Sequence, residues 1–415
     1  KYGDTDAFLV DLKADFSLFT FCLKELCRMV AAEGGNPDDF RSPRDLLQWA
    51  GLERLRKLLN SDNSKISGHN FSSISEVQLE RIGEAIAVAG TAELIAEHKG
   101  LDDTLGYSAA LLRQLGYTLI AWNYPTIYQR AVASLHDGSR LDIAIAQLLG
   151  FSPTMLAMRV VQSWGLSPAL LSVFDEYQLA AEVDLEDAAE LRALGATLSK
   201  ICEVGEALAR ANNPELYPTA TADWDVAKKE IENELGNEGM ALIQERFQEQ
   251  CRTYFESVPH LFRGGMILDP AMKLREHHRR EIFSSNPYIA SCTPHIELAL
   301  EDLYSKFSRE EIYRENVSTL VKHIIPQAQF TGGCIFTIDP STTTLLPQTL
   351  IGRLRGRPAA AVSYSIYSNG SDPIGDTFRL KQEVIEEKET ELGTMVCLSG
   401  VLGYSQRIGV LYLEM

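Results

Sequence analysis

Apolar positions recur at steps of three and four from Phe8 to about Val183, so the α-helical period dominates the first half of the chain. Phe16, Phe19, Leu23, Leu26 and Cys27 fall on one face of a first amphipathic helix, which Gly34-Gly35-Asn36-Pro37 ends. Ser42-Pro43 predicts an N-cap with proline in the first turn, opening a helix that carries Leu46, Leu47, Ala50, Leu52, Leu55, Leu58 and Leu59. Ile82, Ala85, Ile86, Ala89, Ala92 and Ala96 give the next helix a face of small residues that permits close packing. A further helix covers Ala109 to Ile120. Ser152-Pro153 and Ser167-Pro168 repeat the cap-plus-proline device, and Gly165 sits where a left-handed C-cap ends the intervening helix.

The helical pattern continues through Leu191, Leu194, Leu198, Ile201 and Leu208, breaks at Ala211-Asn212-Asn213-Pro214, and resumes at Asp223-Trp224-Asp225 as one acidic stretch reaching Phe255. Composition changes abruptly between Arg263 and Ser291, which predicts a linker over 266–292 between domains at 1–265 and 293–415. Beyond it Thr293-Pro294 opens a helix through Leu300, Leu303, Tyr304 and Phe307, and the capping box Ser308-x-x-Glu311 opens a second, carrying Val317, Leu320, Val321, Ile324 and Ile325. Short β-rich runs follow at Gly333–Asp339, Ala359–Ile366, Thr394–Leu398 and Arg407–Leu413, bounded by Gly, Ser, Asn and Asp clusters.

With 415 residues, 45 % of them apolar and 23 % charged, the chain is large enough for about two or three domains with buried cores. A net charge of -18 argues against nucleic acid as a main partner, because phosphate binding needs clustered Lys and Arg. No apolar run approaches the roughly 20 residues that cross a bilayer, and no secretory leader is visible. The cysteines are scattered through apolar segments without a Cys-x-x-Cys pair, which fits buried free thiols in a reducing cytoplasm.

Four phrases carry a resemblance: Leu46-Leu47-Gln48-Trp49-Ala50-Gly51-Leu52-Glu53-Arg54-Leu55-Arg56, the Ala109–Ile120 helix, Leu149-Gly150-Phe151, and Trp164-Gly165-Leu166-Ser167-Pro168. Together they resemble the HDOD family, an all-helical bacterial signalling module related in fold to HD-superfamily phosphohydrolases. The likeness covers most of residues 1–265 and implies that the family's opening helices are cut away. Catalytic HD enzymes hold a divalent metal with an upstream His, an adjacent His-Asp pair and further His or Asp ligands. By this match the upstream His falls on Glu84, the pair on Arg113-Gln114, and a later histidine near Pro153. Guanidinium has no lone pair to give and proline no side-chain donor, so no metal, catalytic residue or cofactor is expected. Glu84 facing a guanidinium reads as an ion pair, and Arg113 and Gln114 as helix-surface positions of a scaffold.

Two histidine sites compete for attention. His136-Asp137 precedes Gly138-Ser139, a turn signal, and a turn does not aim two ligands at one point. His277-His278 lies on a charged helix face without the i, i+4 spacing of a helical zinc motif.

The closing segment, from about 295 to 415, resembles a GAF domain, an antiparallel sheet with helices on one face; the strand Gly333-Cys334-Ile335-Phe336-Thr337-Ile338-Asp339 and the ending Arg407–Glu414 carry the likeness. GAF domains commonly bind a small molecule beneath the middle loops, here Ser368 to Asp376. The Asn-Lys-x-Phe-x-Asp-Glu pattern of cyclic-nucleotide binders is missing, Cys334 and Cys397 read as core, and Arg353, Arg355 and Arg357 as a basic loop. The expectation is a cytoplasmic bacterial signalling protein: an all-α, HD-related helical domain followed by an α+β GAF-like domain. It would act without catalysis on an unknown protein partner, with a small-molecule effector and a homodimer left open and no membrane or nucleic-acid role. The alternative is a metal-dependent HD-type phosphohydrolase or phosphodiesterase with other ligands.

Overall fold

The computed structural model describes residues 5–13, 15–60, 75–135, 139–174, 185–257, 266–305, 314–354, 363–367, 372–390, 393–403 and 407–415. The chain divides into two compact units, Lys1–His277 and His278–Met415, each with its own apolar core.

The first unit is helical. Its elements are α1 (Thr5–Lys13), α2 (Phe16–Ala32), α3 (Pro43–Leu59), α4 (Glu76–His98), α5 (Asp103–Asn123), α6 (Pro125–Ala133), α7 (Leu141–Leu149), α8 (Pro153–Ser163), α9 (Pro168–Leu171), α10 (Leu185–Ala211), α11 (Ala220–Leu235) and α12 (Gly239–Ser257). Local chemistry sets the starts. Asp15 accepts from Leu18 N to open α2, Ser42 and Asp45 form a reciprocal capping box for α3, and Ser152 caps α8 through Met155 N. Ser167 precedes α9 without a side-chain cap bond. Gly165 takes the left-handed conformation expected of it, at φ 69°. Gly51, inside α3, has φ 59° and ψ 171° and breaks that helix, which the apolar spacing did not signal. The acidic stretch expected to run unbroken to Phe255 is two helices, α11 and α12, parted at Gly236 with φ 76°.

Helices α4 and α5 form the centre and are buried on nearly every face. The small-residue face of α4 is what lets α5 approach: a Cβ on Gly106 would stand 2.5 Å from Ala96 Cβ and 2.9 Å from the Ala92 carbonyl. Helix α10 lies against both α4 and α5, and α8 crosses α5. The α2 face predicted from Phe16, Phe19, Leu23, Leu26 and Cys27 is buried in the same core. Each such side chain removed from water contributes about 1.5–3 kcal/mol before chain entropy is counted.

The stretch expected as a linker, 266–292, is helical over much of its length. Helix α13 (Pro270–Ser284) occupies it, started by Asp269 capping Met272 N and by Pro270 in the first turn. The charged helix face read around His277-His278 belongs to this element, whose start is set by capping and not by an apolar stripe. The division between the two units falls inside this helix.

The second unit holds α14 (Pro294–Ser305), then α15 (Arg314–Thr319), which runs through a π-helical turn (Leu320–Ile324) into α16 (Ile325–Gln327). Strands β1 (Gly332–Asp339), β2 (Thr344–Gly352), β3 (Tyr364–Ser365), β4 (Val384–Thr390), β5 (Gly393–Leu402) and β6 (Gly409–Glu414) make one antiparallel sheet in the order β3-β2-β1-β6-β5-β4. Helix α17 (Pro373–Leu380) interrupts the strands.

Both faces of this sheet are covered, a correction to the expectation of helices on one face only. Alternation decides which side chains go where. Cys334, Phe336, Val410 and Tyr412 face Ile374 and Phe378 of α17, while Ile335, Leu411 and Leu413 face Leu320, Val321 and Ile325. The middle segment expected as loop contributes α17, capped by Asp372 through Ile374 N; residues 368–371 and the capping box at Ser308 lie outside the described residues.

Among the described residues no single helix is long and apolar enough to cross a membrane, and α7 with α8 passes that test only as a pair bent by 74°. All seven cysteines are free thiols, and all but Cys292 are buried.

Candidate functional site

Three of the four positions singled out by the HD likeness are linked in the middle of the helical unit. Glu84 lies on α4, and Arg113 and Gln114 lie on α5. Adjacent helical residues point about 100° apart, so Gln114 reaches toward α4 while Arg113 reaches toward α10. Gln114 Oε1 accepts from Arg81 at 2.6 Å, and its Nε2 donates to Glu206 Oε1 at 3.0 Å. Arg113 grips the same Glu206 with two parallel bonds of 2.9 and 3.2 Å, and donates to the Val173 carbonyl and Ser199 Oγ at 3.1 Å each. Such forked pairs are the strong and directional ones.

Glu84 is held from three sides: by Arg81 at 2.6 Å, by Asn213 Nδ2 at 2.7 Å and by the Tyr217 hydroxyl at 3.0 Å. Arg81 and Glu84 are each only 4 % exposed. Arg81 also lies 5.4 Å from the centre of the Tyr117 ring. The outcome is a continuous circuit, running Arg113, Glu206, Gln114, Arg81, Glu84, of two guanidinium and two carboxylate groups joined in line through one amide, with no net charge.

Burial works against the charge on Arg81, but Glu84 and the hydroxyls of Tyr128 and Tyr217 more than offset it, so its pKa rises. Burial first, and Glu84 second, pushes the Tyr217 hydroxyl well above its ordinary range. Burial likewise raises Tyr128, to about 12, against the pull of Arg81. One turn before Glu84, the Glu80 carboxyl is pushed up to about 7 by burial and by Glu84, Glu76 and Glu215, with Lys273 opposing.

Two expectations change. Arg113 and Gln114 are not helix-surface positions: Gln114 is 3 % exposed and the Arg113 side chain 13 %. The guanidinium facing Glu84 belongs to Arg81, three residues before it, and Arg113 takes its carboxylate from Glu206. Pro153 stands apart from the circuit. It starts α8 and is buried against α5, where a Cβ on Gly116 would lie 1.9 Å from the Pro153 carbonyl oxygen. The sequence reading missed Arg81, Glu206, Asn213 and Tyr217; the i, i+3 spacing of Arg81 and Glu84 was the one visible hint.

This donor set does not suit a divalent ion. Every carboxylate oxygen of Glu84 and Glu206 is bonded to a guanidinium, amide or hydroxyl donor, and two permanent cations stand where a third would have to enter. Among the described residues no group of three or more His, Cys, Asp or Glu side chains converges in a way that could hold a metal. His136-Asp137 lies outside the described residues. His277 is less solvated than expected, its Nδ1 3.4 Å from Glu215 with a quarter of the side chain exposed. A cleft of about 270 Å³ lined by Ile95, Lys99, Thr197, Lys200 and Glu234 opens at the far end of α4, roughly 16 Å along the helix from Glu84.

Residues 47–179 match the model of the HDOD domain. An HDOD domain is therefore present, and the match takes in Arg81, Glu84, Arg113, Gln114 and Pro153. Glu206, Asn213 and Tyr217, which close the circuit around these HDOD residues, come from beyond the matched span. No curated protein and no solved structure matches the chain.

In the second unit the sheet face beneath α17 carries a buried polar cluster. The Tyr412 hydroxyl donates to Glu414 Oε1 at 3.0 Å and lies 3.2 Å from Cys397 Sγ. Glu414 and Ser399 are fully buried, and Ser399 Oγ has no hydrogen-bond partner among the described residues. Cys334 and Cys397 are core residues, each 1 % exposed. Arg353 follows β2, while Arg355 and Arg357 lie outside the described residues.

Proposed function

We propose that this chain is a non-catalytic signal-transduction protein of the bacterial cytoplasm, in which a GAF-like sensory unit is coupled to an HDOD output or interaction unit. The observation that carries the reading is the use made of the HD positions. Where a hydrolase needs imidazole and carboxylate around an ion, Arg113 and Gln114 clamp Glu206, and Glu84 is saturated by Arg81, Asn213 and Tyr217. Such a site leaves no carboxylate oxygen unoccupied for a metal that would acidify a water. What it can do is lock three helices into one arrangement, as a module that works by presenting a surface requires.

The sensory half of the proposal draws on the antiparallel order β3-β2-β1-β6-β5-β4 with α17 laid across one face, and on the polar cluster of Tyr412, Cys397, Glu414 and Ser399 under that helix. A small effector seated there would shift the protein between two states only by favouring one of them. Scattered free cysteines support a reducing compartment. The partner is a protein, since the acidic balance of the chain disfavours nucleic acid.

Turnover of bis(p-nitrophenyl) phosphate by the full chain, with manganese, magnesium or ferrous iron added, tests the catalytic half. The expected rate is that of buffer with metal alone; metal-dependent turnover that saturates with substrate would favour the hydrolase instead.

A further inference from the structure

The corner between α10 and α11 does two jobs with two neighbouring side chains. Asn213 Nδ2 donates to Glu84 at 2.7 Å, inside the ion-pair circuit. Asn212, next to it, holds the lead-in to α13 by both ends of its amide: Nδ2 donates to the Ile267 carbonyl at 3.0 Å, and Oδ1 accepts from Asp269 N at 2.9 Å. The same lead-in is gripped by Gln244 of α12, whose Nε2 donates to the Leu268 carbonyl at 2.9 Å, and Leu268 is buried in the main core. Further along α13, Leu274 packs against the core formed by α6 and α7, and His277 faces Glu215 at 3.4 Å, only two residues after Asn213 in the chain. Two rigid bonds to one side-chain amide fix its plane, and so fix the backbone of the corner that carries Asn213. The division of the chain into its two compact units falls within α13, just after His277.

We propose that the α10–α11 corner makes the docking of the first half of α13 conditional on the ion-pair circuit at the HD-derived positions, so that the former metal-site region acts as a latch on the helix leading into the second unit. The inference rests on the reading that these residues bind one another and not a metal. The physical link runs by side-chain bonds from Gln114 through Arg81 and Glu84 to Asn213, along the backbone to Asn212, and from its amide to Asp269 N. Loss of the Glu84 carboxyl leaves Asn213 without its acceptor, the corner loses one of its two anchors, and the lead-in to α13 is freed with it. Spatial continuity alone does not establish coupling, and a cycle of two substitutions does.

Amide hydrogen exchange on the full-length chain tests this, read at residues 271–277 and compared with the amides of α2. Glu84→Ala and Asn212→Ala should each speed exchange of the α13 amides by about tenfold, the loss of one or two hydrogen bonds, while α2 keeps its protection. The double variant should be no faster than the faster single one. Unchanged α13 exchange in Asn212→Ala overturns the proposal, as does multiplication of the two effects in the double variant. Should Glu84→Ala not fold, Asn213→Ala at the half-buried corner cuts the same link and is read the same way. Failure of the underlying reading shows elsewhere, as protection gained by α4 and α5 amides when manganese is added.

Discussion

At Arg113 the HDOD domain carries a permanent cation that binds the Glu206 carboxylate through two parallel bonds. Cutting it back to methionine leaves Glu206 as a mostly buried charge with one amide for company, a change that costs about 3 kcal/mol in chemical denaturation. Adding Glu206→Gln to that variant should recover part of the loss, and additive losses would mean that the pair is not coupled. Glu80 makes a different prediction. Its folded pKa of about 7 lies above the ordinary carboxylate value, so the folded state holds a proton that the unfolded chain has released. Its contribution is full below the ordinary value and is lost as pH rises toward 7. Glu80→Gln should therefore flatten the stability profile across that window and be more stable than the parent at pH 8; parallel profiles would contradict the assignment. In the sequence, Arg113 was legible as a residue unable to ligate because that depends on side-chain chemistry alone. Glu206, Asn213 and Tyr217 were not, since their distance in sequence from Glu84 or Arg113 can be closed only by the fold.

Whole elements were legible where a local signal marked them. Caps and prolines placed the starts of α3 and α8, and the alanine face of α4 announced a close neighbour, which proved to be α5 at Gly106. Gly116 makes the equivalent contact with α8, and Gly116→Ala would drive a methyl into the Pro153 carbonyl, costing roughly 2–3 kcal/mol by shift of midpoint in urea. A loss below a few tenths would show that α8 can move aside. Strands β2 and β4 went unread for opposite reasons. β2 contains Pro347, which the sheet tolerates because the register shifts there, between Ile335 and Phe336 of the facing strand. β4 is an edge strand whose Glu386, Glu387, Lys388 and Glu389 look like a loop and serve to keep the edge from pairing with other chains. Both were therefore sheet elements whose sequence lacks the clean alternation that defines a strand on paper.

At the scale of the molecule, two units with separate cores imply more than one cooperative melting step. Calorimetry of the full chain should resolve at least two transitions, and one transition with matching calorimetric and van't Hoff enthalpies would mean that the units unfold together. The helical unit was the more legible half because its order of capped, amphipathic helices resembles one known module, and residues 47–179 match that module. The units part within the stretch expected to join them, inside α13, which is charged, capped and continuous there. The non-catalytic role proposed for the helical unit depends on its centre, where Arg81, Gln114 and Arg113 occupy the carboxylates of Glu84 and Glu206 that an ion would need. The metal content of protein purified without chelator, measured by plasma mass spectrometry after incubation with excess manganese and iron and removal of the free ions, tests it most directly. The account predicts well under a tenth of an ion per chain; close to one ion per chain, lost when Glu84 or Glu206 is replaced by alanine, would contradict it.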